Sequence, residues 1–298
     1  MGTDAGFRMF AETEVNRHFK AMFDVWTGYL RSPDSRSVLT PEDDGWFGTA
    51  ASAAMPDFAN TYICDPNAEY HGFPSWDDFF TREFRVGKRP VHFQDNDSII
   101  NSACESTVYR IARSIKAKDK FWLKGQPYSL DHMLNDDELA PQFAGGTVYQ
   151  AFLSATKYHR WHSPVNGVVV KTVNIPGTYY AQSPTTGFGK PDGPDLAAPN
   201  KSQAFITATA ARALIFIRAD NPSVGLMCFM AVGMAEVSTC EVTVSKNQRV
   251  KKGDQLGMFH FGGSTYCLIF RPQTEITFVR KVEEDVLLNE KIATVAYW

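Results

Sequence analysis

The sequence lacks the features that mark three broad classes of protein. Its 30 Lys and Arg residues are outnumbered by 33 Asp and Glu residues, so it has none of the basic excess of a nucleic-acid-binding protein. The longest apolar run, residues 225–235, is well short of the ~20 residues that a membrane-spanning helix needs. The first residues also lack the apolar core of a signal peptide. We therefore expect a cytoplasmic protein that neither binds nucleic acid nor inserts stably into a membrane.

Cysteines are few and irregularly spaced. The five of them, at positions 64, 104, 228, 240 and 267, show none of the paired spacings of a disulfide framework or a Cys-rich zinc site. This usage indicates a reducing compartment, which agrees with a cytoplasmic location.

The order of sequence patterns predicts an α+β protein. Apolar residues at positions 15, 19, 22, 23, 26 and 30 form one helical stripe, and Ser75, followed by two acids, predicts the N-cap of a short helix. Later runs rich in β-branched and aromatic residues predict strands over 147–153, 167–173, 203–209 and 213–217. We expect a helical N-terminal region over 1–92 and a β-rich catalytic domain over 93–298. The segment 244–257 adds a tight hairpin that resembles those of barrel-sandwich folds, without the modifiable lysine of a lipoyl carrier.

The segment from Phe259 to Phe270 contains the most informative chemistry. Gly262 and Gly263 precede Ser264, and a strand-like run begins directly behind them. One interpretation is a simple turn between strands. The other is a self-processing bond, because a serine hydroxyl attacks the preceding carbonyl most easily where a glycine allows the backbone to bend.

Two histidines, His159 and His162, lie three residues apart ahead of another predicted strand. They fit a pair of structural histidines, a metal-binding pair, or a base and an acid in one active site. Because no third ligand follows at a characteristic spacing, we expect no metal. Further upstream, Glu105 is an isolated carboxylate between small residues at a strand entrance.

Four motifs in combination resemble the phosphatidylserine decarboxylase family. They are Phe79–Pro90, Tyr158–Gly167, Val250–Gly257 and Phe261–Thr265, and they occur in the family's order over roughly residues 70–271. The residues in these motifs most resemble those of the soluble fungal branch of this family, which decarboxylates L-tryptophan. The resemblance to that branch extends back to the predicted helix at 11–30.

The resemblance implies a role for each candidate residue. Ser264 matches the serine that becomes a pyruvoyl group, so self-cleavage at Gly263–Ser264 would give a β chain 1–263 and an α chain 264–298 that remain associated. His162 matches the base of the cleavage triad and Glu105 its acidic member, although that acid is usually aspartate. His159 matches the histidine of the decarboxylation step. The pyruvoyl ketone would accept the electrons that CO2 leaves behind, so no pyridoxal phosphate is needed.

The expected substrate is a small aromatic amino acid, most simply L-tryptophan. Trp161, Tyr179 and Tyr180 are the candidate substrate-binding residues. Three alternatives stay open: a phosphatidylserine decarboxylase that makes phosphatidylethanolamine, a non-catalytic barrel-sandwich binding module, and a metal hydrolase that uses the two histidines. The sequence also leaves the oligomeric state open.

Overall fold

A computed structural model of the chain describes residues 1–118, 128–184, 186, 195, 197–235, 239–262 and 264–296. The first part of the chain is helical and the rest is mainly β-sheet, which confirms the predicted α+β class. No described helix is long and apolar enough to cross a membrane.

Five short to medium helices occupy the N-terminal part. They are α1 (Asp4–Ala11), α2 (Thr13–Leu30), α3 (Thr49–Ala54), α4 (Phe58–Thr61) and α5 (Trp76–Phe80), with 3-10 turns at Pro33–Val38 and Glu69–Gly72. The Ser75 hydroxyl accepts a hydrogen bond from the backbone N–H of Asp78 at 3.1 Å, as its N-cap pattern predicts. On α2, the apolar stripe places Phe19 and Phe23 against Tyr179 and Tyr180.

The later helices are short and lie between strands. They are α6 (Leu130–Met133), α7 (Ala198–Lys201) and α8 (Gln203–Thr209), with a 3-10 turn at Ala140–Phe143. The prediction of a strand over 203–209 is therefore wrong. Residues 203–207 are all buried, so this segment shows neither the alternation of a strand nor the stripe of an exposed helix. Its seven residues also fit either element by length.

The structure contains fourteen strands in the described ranges. They are β1 (Ile99–Asn101), β2 (Ser106–Ala112), β3 (Thr147–Leu153), β4 (Arg160–His162), β5 (Gly167–Ile175), β6 (Arg212–Ala219), β7 (Leu226–Gly233), β8 (Thr239–Val242), β9 (Arg249–Val250), β10 (Gln255–His260), β11 (Ser264–Phe270), β12 (Ile276–Phe278), β13 (Asp285–Val286) and β14 (Lys291–Val295).

These strands form one large antiparallel sheet and two small ones. The large sheet has the order β13-β2-β3-β11-β7-β6-β5-β9, and the small sheets have the orders β1-β14-β12 and β4-β10-β8. Strand pairing over the described residues leaves all three sheets open, so none closes into a barrel. Around the predicted hairpin, β8 pairs with β10, while β9 between them pairs with β5 of the large sheet.

The middle of the large sheet is buried on both faces. One face packs against the two small sheets around Trp161 and Phe229, and the other packs against α6 and α8 around Leu214 and Phe205. Strand β11 lies at the centre of this arrangement, between β3 and β7. Its first residue is Ser264, so the fold holds this serine at one end of a central strand of the large sheet.

Candidate active site

Ser264 begins β11 with a neighbouring strand on each side. Its backbone lies opposite Leu153 of β3 and opposite Gly233 of β7. Gly263, the other half of the predicted cleavage site, lies outside the described residues. The strand register therefore fixes the backbone that follows the predicted scissile bond.

A cavity of about 470 Å³ opens at this end of the sheet. Four of its lining residues follow β3 and β7 or precede β11: Ala155, Ala235, Phe261 and Gly262. The other eight come from the N-terminal part: Trp26, Tyr29, Leu30, Ser35, Val38, Trp46, Trp76 and Phe80. Six of these side chains are aromatic. The volume falls within the range of about 300–1,000 Å³ that is usual for small-molecule pockets.

The backbone just before the serine is strained at Phe261. This residue has a φ of 66°, in the left-handed region, which costs a bulky side chain on the order of 1–3 kcal/mol. Such a conformation persists only where the surroundings enforce it. Phe261 is 3% exposed and packs against Phe23 and Trp76, so the N-terminal helices supply that enforcement.

His159 lies one layer behind the cavity wall. Its ring is fully buried and stacks on Phe80, which lines the cavity, at a centroid distance of 4.0 Å. Neither ring nitrogen has a hydrogen-bond partner among the described residues. Burial, and then the positive charge of Arg82, lower the pKa of His159 to about 3, while the backbone of Lys157 opposes the shift. The ring is therefore neutral at pH 7.

His162 lies in a different environment, as the extended backbone of β4 predicts for residues three apart. Its Nδ1 is 2.7 Å from the carbonyl oxygen of Gly253, which can only accept, so Nδ1 carries the proton. Its Nε2 then accepts a hydrogen bond from the Tyr158 hydroxyl at 2.9 Å. Burial is the main cause that lowers the pKa of His162 to about 4, so this ring is also neutral and its basic nitrogen is Nε2.

Glu105 is buried close to His162 but is paired elsewhere. The backbone N–H of His162 donates to the carbonyl of Ala103 at 2.9 Å, which brings the two chain segments side by side. The Glu105 carboxylate accepts a hydrogen bond from Nε of Arg89. No hydrogen bond joins Glu105 to His162 in the described part of the chain, so the structure brings these two predicted triad members near each other without connecting them.

The three predicted substrate-binding residues do not line the cavity. Trp161 is fully buried in the core between Phe229 and Phe259. Tyr179 and Tyr180 pack against α2 in the cluster that surrounds Phe23. The aromatic side chains that do line the cavity were missed. Two of them, Trp26 and Tyr29, lie on α2 and are 42% and 46% exposed.

The described residues contain no group of three His, Cys, Asp or Glu side chains that could hold a metal ion. The two histidines face different partners, Phe80 for His159 and Tyr158 for His162. A shared metal between them has no support in this geometry.

Comparison with known proteins decides the family. Residues 76–294 match phosphatidylserine decarboxylase, and a second phosphatidylserine decarboxylase region matches residues 1–55. The chain belongs to the phosphatidylserine decarboxylase family. Both matches together include the candidate residues and the helical part of the cavity wall.

Relatives within the family are similar over nearly the whole chain. A decarboxylase named iboD from Amanita muscaria is 48% identical over 97% of this chain and 85% of its own length. An L-tryptophan decarboxylase from Psilocybe cubensis is 43% identical over 99% of this chain and 72% of its own length. A phosphatidylserine decarboxylase proenzyme from Fusobacterium nucleatum is 30% identical over 76% of this chain and 68% of its own length.

Phosphatidylserine decarboxylases generally use a pyruvoyl group, and the residues at the head of β11 fit one. Ser264 supplies the precursor side chain type at a strand end that opens toward the cavity. Behind the wall, His159 stacks on Phe80, which lines the cavity.

Proposed function

We propose that this protein is a pyruvoyl-dependent decarboxylase that cleaves itself between Gly263 and Ser264 and converts L-tryptophan to tryptamine. The observation that carries the proposal is the aromatic cavity at the head of β11 in a chain of this family. The curated relatives support the substrate, since two of them are named L-tryptophan decarboxylases.

The cavity suits an indole ring better than a charged headgroup. Its lining side chains are six aromatic rings, among them the phenol of Tyr29, with several small or aliphatic groups and the hydroxyl of Ser35. That hydroxyl already donates to backbone carbonyls and accepts from the N–H of Trp76 at 2.9 Å. An aromatic side chain gains offset stacking and edge contacts in such a site, whereas an ionic headgroup would lose its hydration without compensation.

Self-cleavage in this proposal is an internal rearrangement followed by loss of ammonia. The Ser264 hydroxyl adds to the Gly263 carbonyl and gives up its proton, and the Ser264 nitrogen leaves with a proton, so an ester replaces the amide. Loss of the Cα proton and of the Gly263 carboxylate then leaves dehydroalanine. One water molecule converts dehydroalanine to the pyruvoyl group and releases ammonia. The rearrangement requires a base for the hydroxyl proton.

We assign that base to His162. Its Nδ1 proton is held by the Gly253 carbonyl, so Nε2 presents a lone pair, and its lowered pKa keeps the ring unprotonated at neutral pH. In the structure the Tyr158 hydroxyl donates a hydrogen bond to that lone pair. Burial raises the pKa of the Tyr158 phenol, so the hydroxyl keeps its proton. Glu105, buried beside this cluster and balanced by Arg89, is the acidic partner in the proposal.

A pyruvoyl ketone condenses with an amine and accepts the electron pair released when CO2 leaves. Around it, the aromatic lining of the cavity orients the substrate ring and excludes water. His159 lies behind Phe80 as a neutral ring with free nitrogens among the described residues. We assign to it the transfer of the proton that the substrate carbon takes up after CO2 has left.

We also propose that the two chains stay together after cleavage in the cytoplasm. The α chain would contain β11 at the centre of the large sheet, along with β12, β13 and β14, which pair with other strands. Removing it would expose both neighbouring strands and the core. The five cysteines are all free, which fits a reducing compartment.

Intact mass tests the cleavage directly. The purified chain should give an α fragment of about 3.9 kDa in proportion to its share of the 33.3 kDa chain, blocked to Edman degradation. Ser264→Ala should remain one chain with normal folding. A full-length species that is catalytically active would contradict the proposal.

A substrate panel tests the reaction. CO2 release is measured without added pyridoxal phosphate from L-tryptophan, L-phenylalanine, L-glutamate and phosphatidylserine vesicles. L-tryptophan should be the preferred substrate and L-glutamate inactive. Efficient turnover of phosphatidylserine without turnover of free amino acids would replace this proposal with the lipid reaction.

A further inference from the structure

A cluster of four ionisable side chains is centred on His260, the last residue of β10; the His260 ring and Asp77 are buried, and the other two side chains are half-exposed. The His260 ring is 4% exposed, with Nδ1 2.8 Å from Oδ1 of Asp77 and Nε2 3.0 Å from Oε2 of Glu241. Each ring nitrogen therefore lies within hydrogen-bonding distance of a carboxylate oxygen.

Arg31 completes the cluster. Its Nε donates to Oδ2 of Asp77 at 3.2 Å, and its Nη2 lies 3.7 Å from Oε2 of Glu241. The same Nη2 is nearly equidistant from the two ring nitrogens of His260, at 3.5 and 3.4 Å, so the guanidinium lies over the ring. The two carboxylates therefore contact both the Arg31 guanidinium and the His260 ring. We name Arg31, Asp77, Glu241 and His260 the His260 clamp.

The His260 clamp connects the helical part of the chain to the strand that leads to Ser264. Arg31 follows α2 and Asp77 lies in α5, whereas Glu241 and His260 belong to the paired strands β8 and β10. Only 11% of the Asp77 side chain is exposed, so its charge needs this compensation. The cluster is a fixed joint between two parts of the fold, with two side chains from each part.

The clamp acts on the residue whose backbone is strained. Phe261 directly follows His260, has a φ of 66°, and precedes the glycine that lines the cavity. The Arg31 guanidinium lies 5.8 Å from the centre of its ring, and Trp76, next to Asp77, stacks on it at 6.3 Å. Arg31 therefore contacts both the His260 ring and the Phe261 ring, and α5 supplies one contact to each through Asp77 and Trp76.

We propose that the His260 clamp positions the turn before Ser264 for self-cleavage, so that Asp77, Glu241 and Arg31 are positioning residues for maturation. This inference rests on the proposed self-cleavage of the chain. Self-cleavage requires the serine hydroxyl and the preceding carbonyl to meet in one reactive geometry, and small displacements of reacting groups slow such a step. Holding His260 and Phe261 fixes the backbone that leads into the predicted cleavage site.

The test measures the rate of cleavage, a readout that does not require decarboxylation. Precursor is made in a short cell-free translation pulse and followed on gels. His260→Phe keeps a ring but removes both ring nitrogens, and Glu241→Gln removes one charge from a half-exposed position. Asp220→Asn is the matched control, since it breaks an ion pair with Arg249 near β9 at the edge of the large sheet.

Cleavage should slow by about 10- to 100-fold in His260→Phe and Glu241→Gln, as expected for small displacements of reacting groups, and by less than about twofold in Asp220→Asn. His260→Lys, whose ammonium can donate to both carboxylates, should recover part of the rate. In a Ser264→Ala background, Glu241→Gln and Asp220→Asn should melt at similar temperatures.

The outcomes separate the two hypotheses. An uncut parent chain would overturn the proposed self-cleavage and this inference with it. A parent that is cut, with His260→Phe and Glu241→Gln cut equally fast, would overturn this inference alone. It would also be overturned if Glu241→Gln slowed cleavage only together with a large loss of melting temperature that Asp220→Asn does not show. If His260→Phe does not fold, Glu241→Gln decides.

Discussion

Acidification below pH 6.5 should destabilise the uncut chain, because His159 is buried as a neutral ring. Its pKa in the folded chain is about 3, whereas the ordinary histidine value is near 6.5. Between these values the unfolded chain binds a proton that the folded chain does not, so the free energy of unfolding falls as the pH falls through this window. This loss of stability is absent at pH values well above the ordinary histidine pKa.

The size of this effect follows from the two pKa values. Each pH unit below 6.5 costs about 1.4 kcal/mol per histidine, so His159 alone should remove about 2 kcal/mol between pH 7 and pH 5. His162, with a pKa of about 4, should remove about the same amount over that interval. Together they account for about 4 kcal/mol, a large part of the 5–15 kcal/mol that is usual for a domain.

The assay is urea unfolding at pH 7 and pH 5 in the Ser264→Ala background, with and without His159→Phe. Phenylalanine suits this site because it can keep the stack on Phe80 and because neither ring nitrogen of His159 has a hydrogen bond to lose among the described residues. All other titrating groups are common to both chains. His159→Phe should therefore lose about 2 kcal/mol less between the two pH values. Equal losses in both chains would refute the assignment of His159 as a buried neutral ring.

Two further predictions concern the division of work in the site. His162→Ala should leave the chain largely uncut on gels, whereas His159→Ala should still be cut and lose decarboxylation by about 10²- to 10⁴-fold; the reverse pattern would exchange the two roles. Trp46→Ala should raise KM for L-tryptophan with cleavage unchanged, because Trp46 lines the cavity and packs at a centroid distance of 5.7 Å on Trp76. An unchanged KM would contradict the binding of the substrate ring in this cavity.

Local signals in the sequence predicted the local structure well. The N-cap at Ser75 and the strand over 147–153 are present with the predicted boundaries. The segment 203–209 was wrong because burial on all sides erases the period on which the prediction depends. The strands at 160–162 and 255–260 were also not predicted. They pair only with each other and with β8, and this pairing exists only in the folded chain, so no local pattern reports it.

The candidate site shows a sharper limit. Resemblance to the family pointed to Ser264, His159, His162 and Glu105, but not to their partners. The pairing of Glu105 with Arg89 depends on two segments that are adjacent only in the folded chain. The cavity was missed for the same reason, since its wall combines α2, a 3-10 turn, the loop at Trp46 and α5 with the ends of three strands. The periodic pattern of apolar residues within one segment cannot predict a cavity wall that is assembled from several segments.

The two parts of the cavity wall have separable physical roles. The sheet places Ser264, and the N-terminal part supplies eight of the twelve lining residues, including five of the six aromatic rings. Substitutions in the helical part can therefore change which side chain the cavity accepts without moving β11. The exceptions are the contacts that cross the boundary: Phe80 on His159, and the His260 clamp on the strand before Ser264. At these places, as at the contact of Phe261 with Trp76, a change in the cavity wall should also change the proposed chemistry, because the same side chains hold the candidate residues.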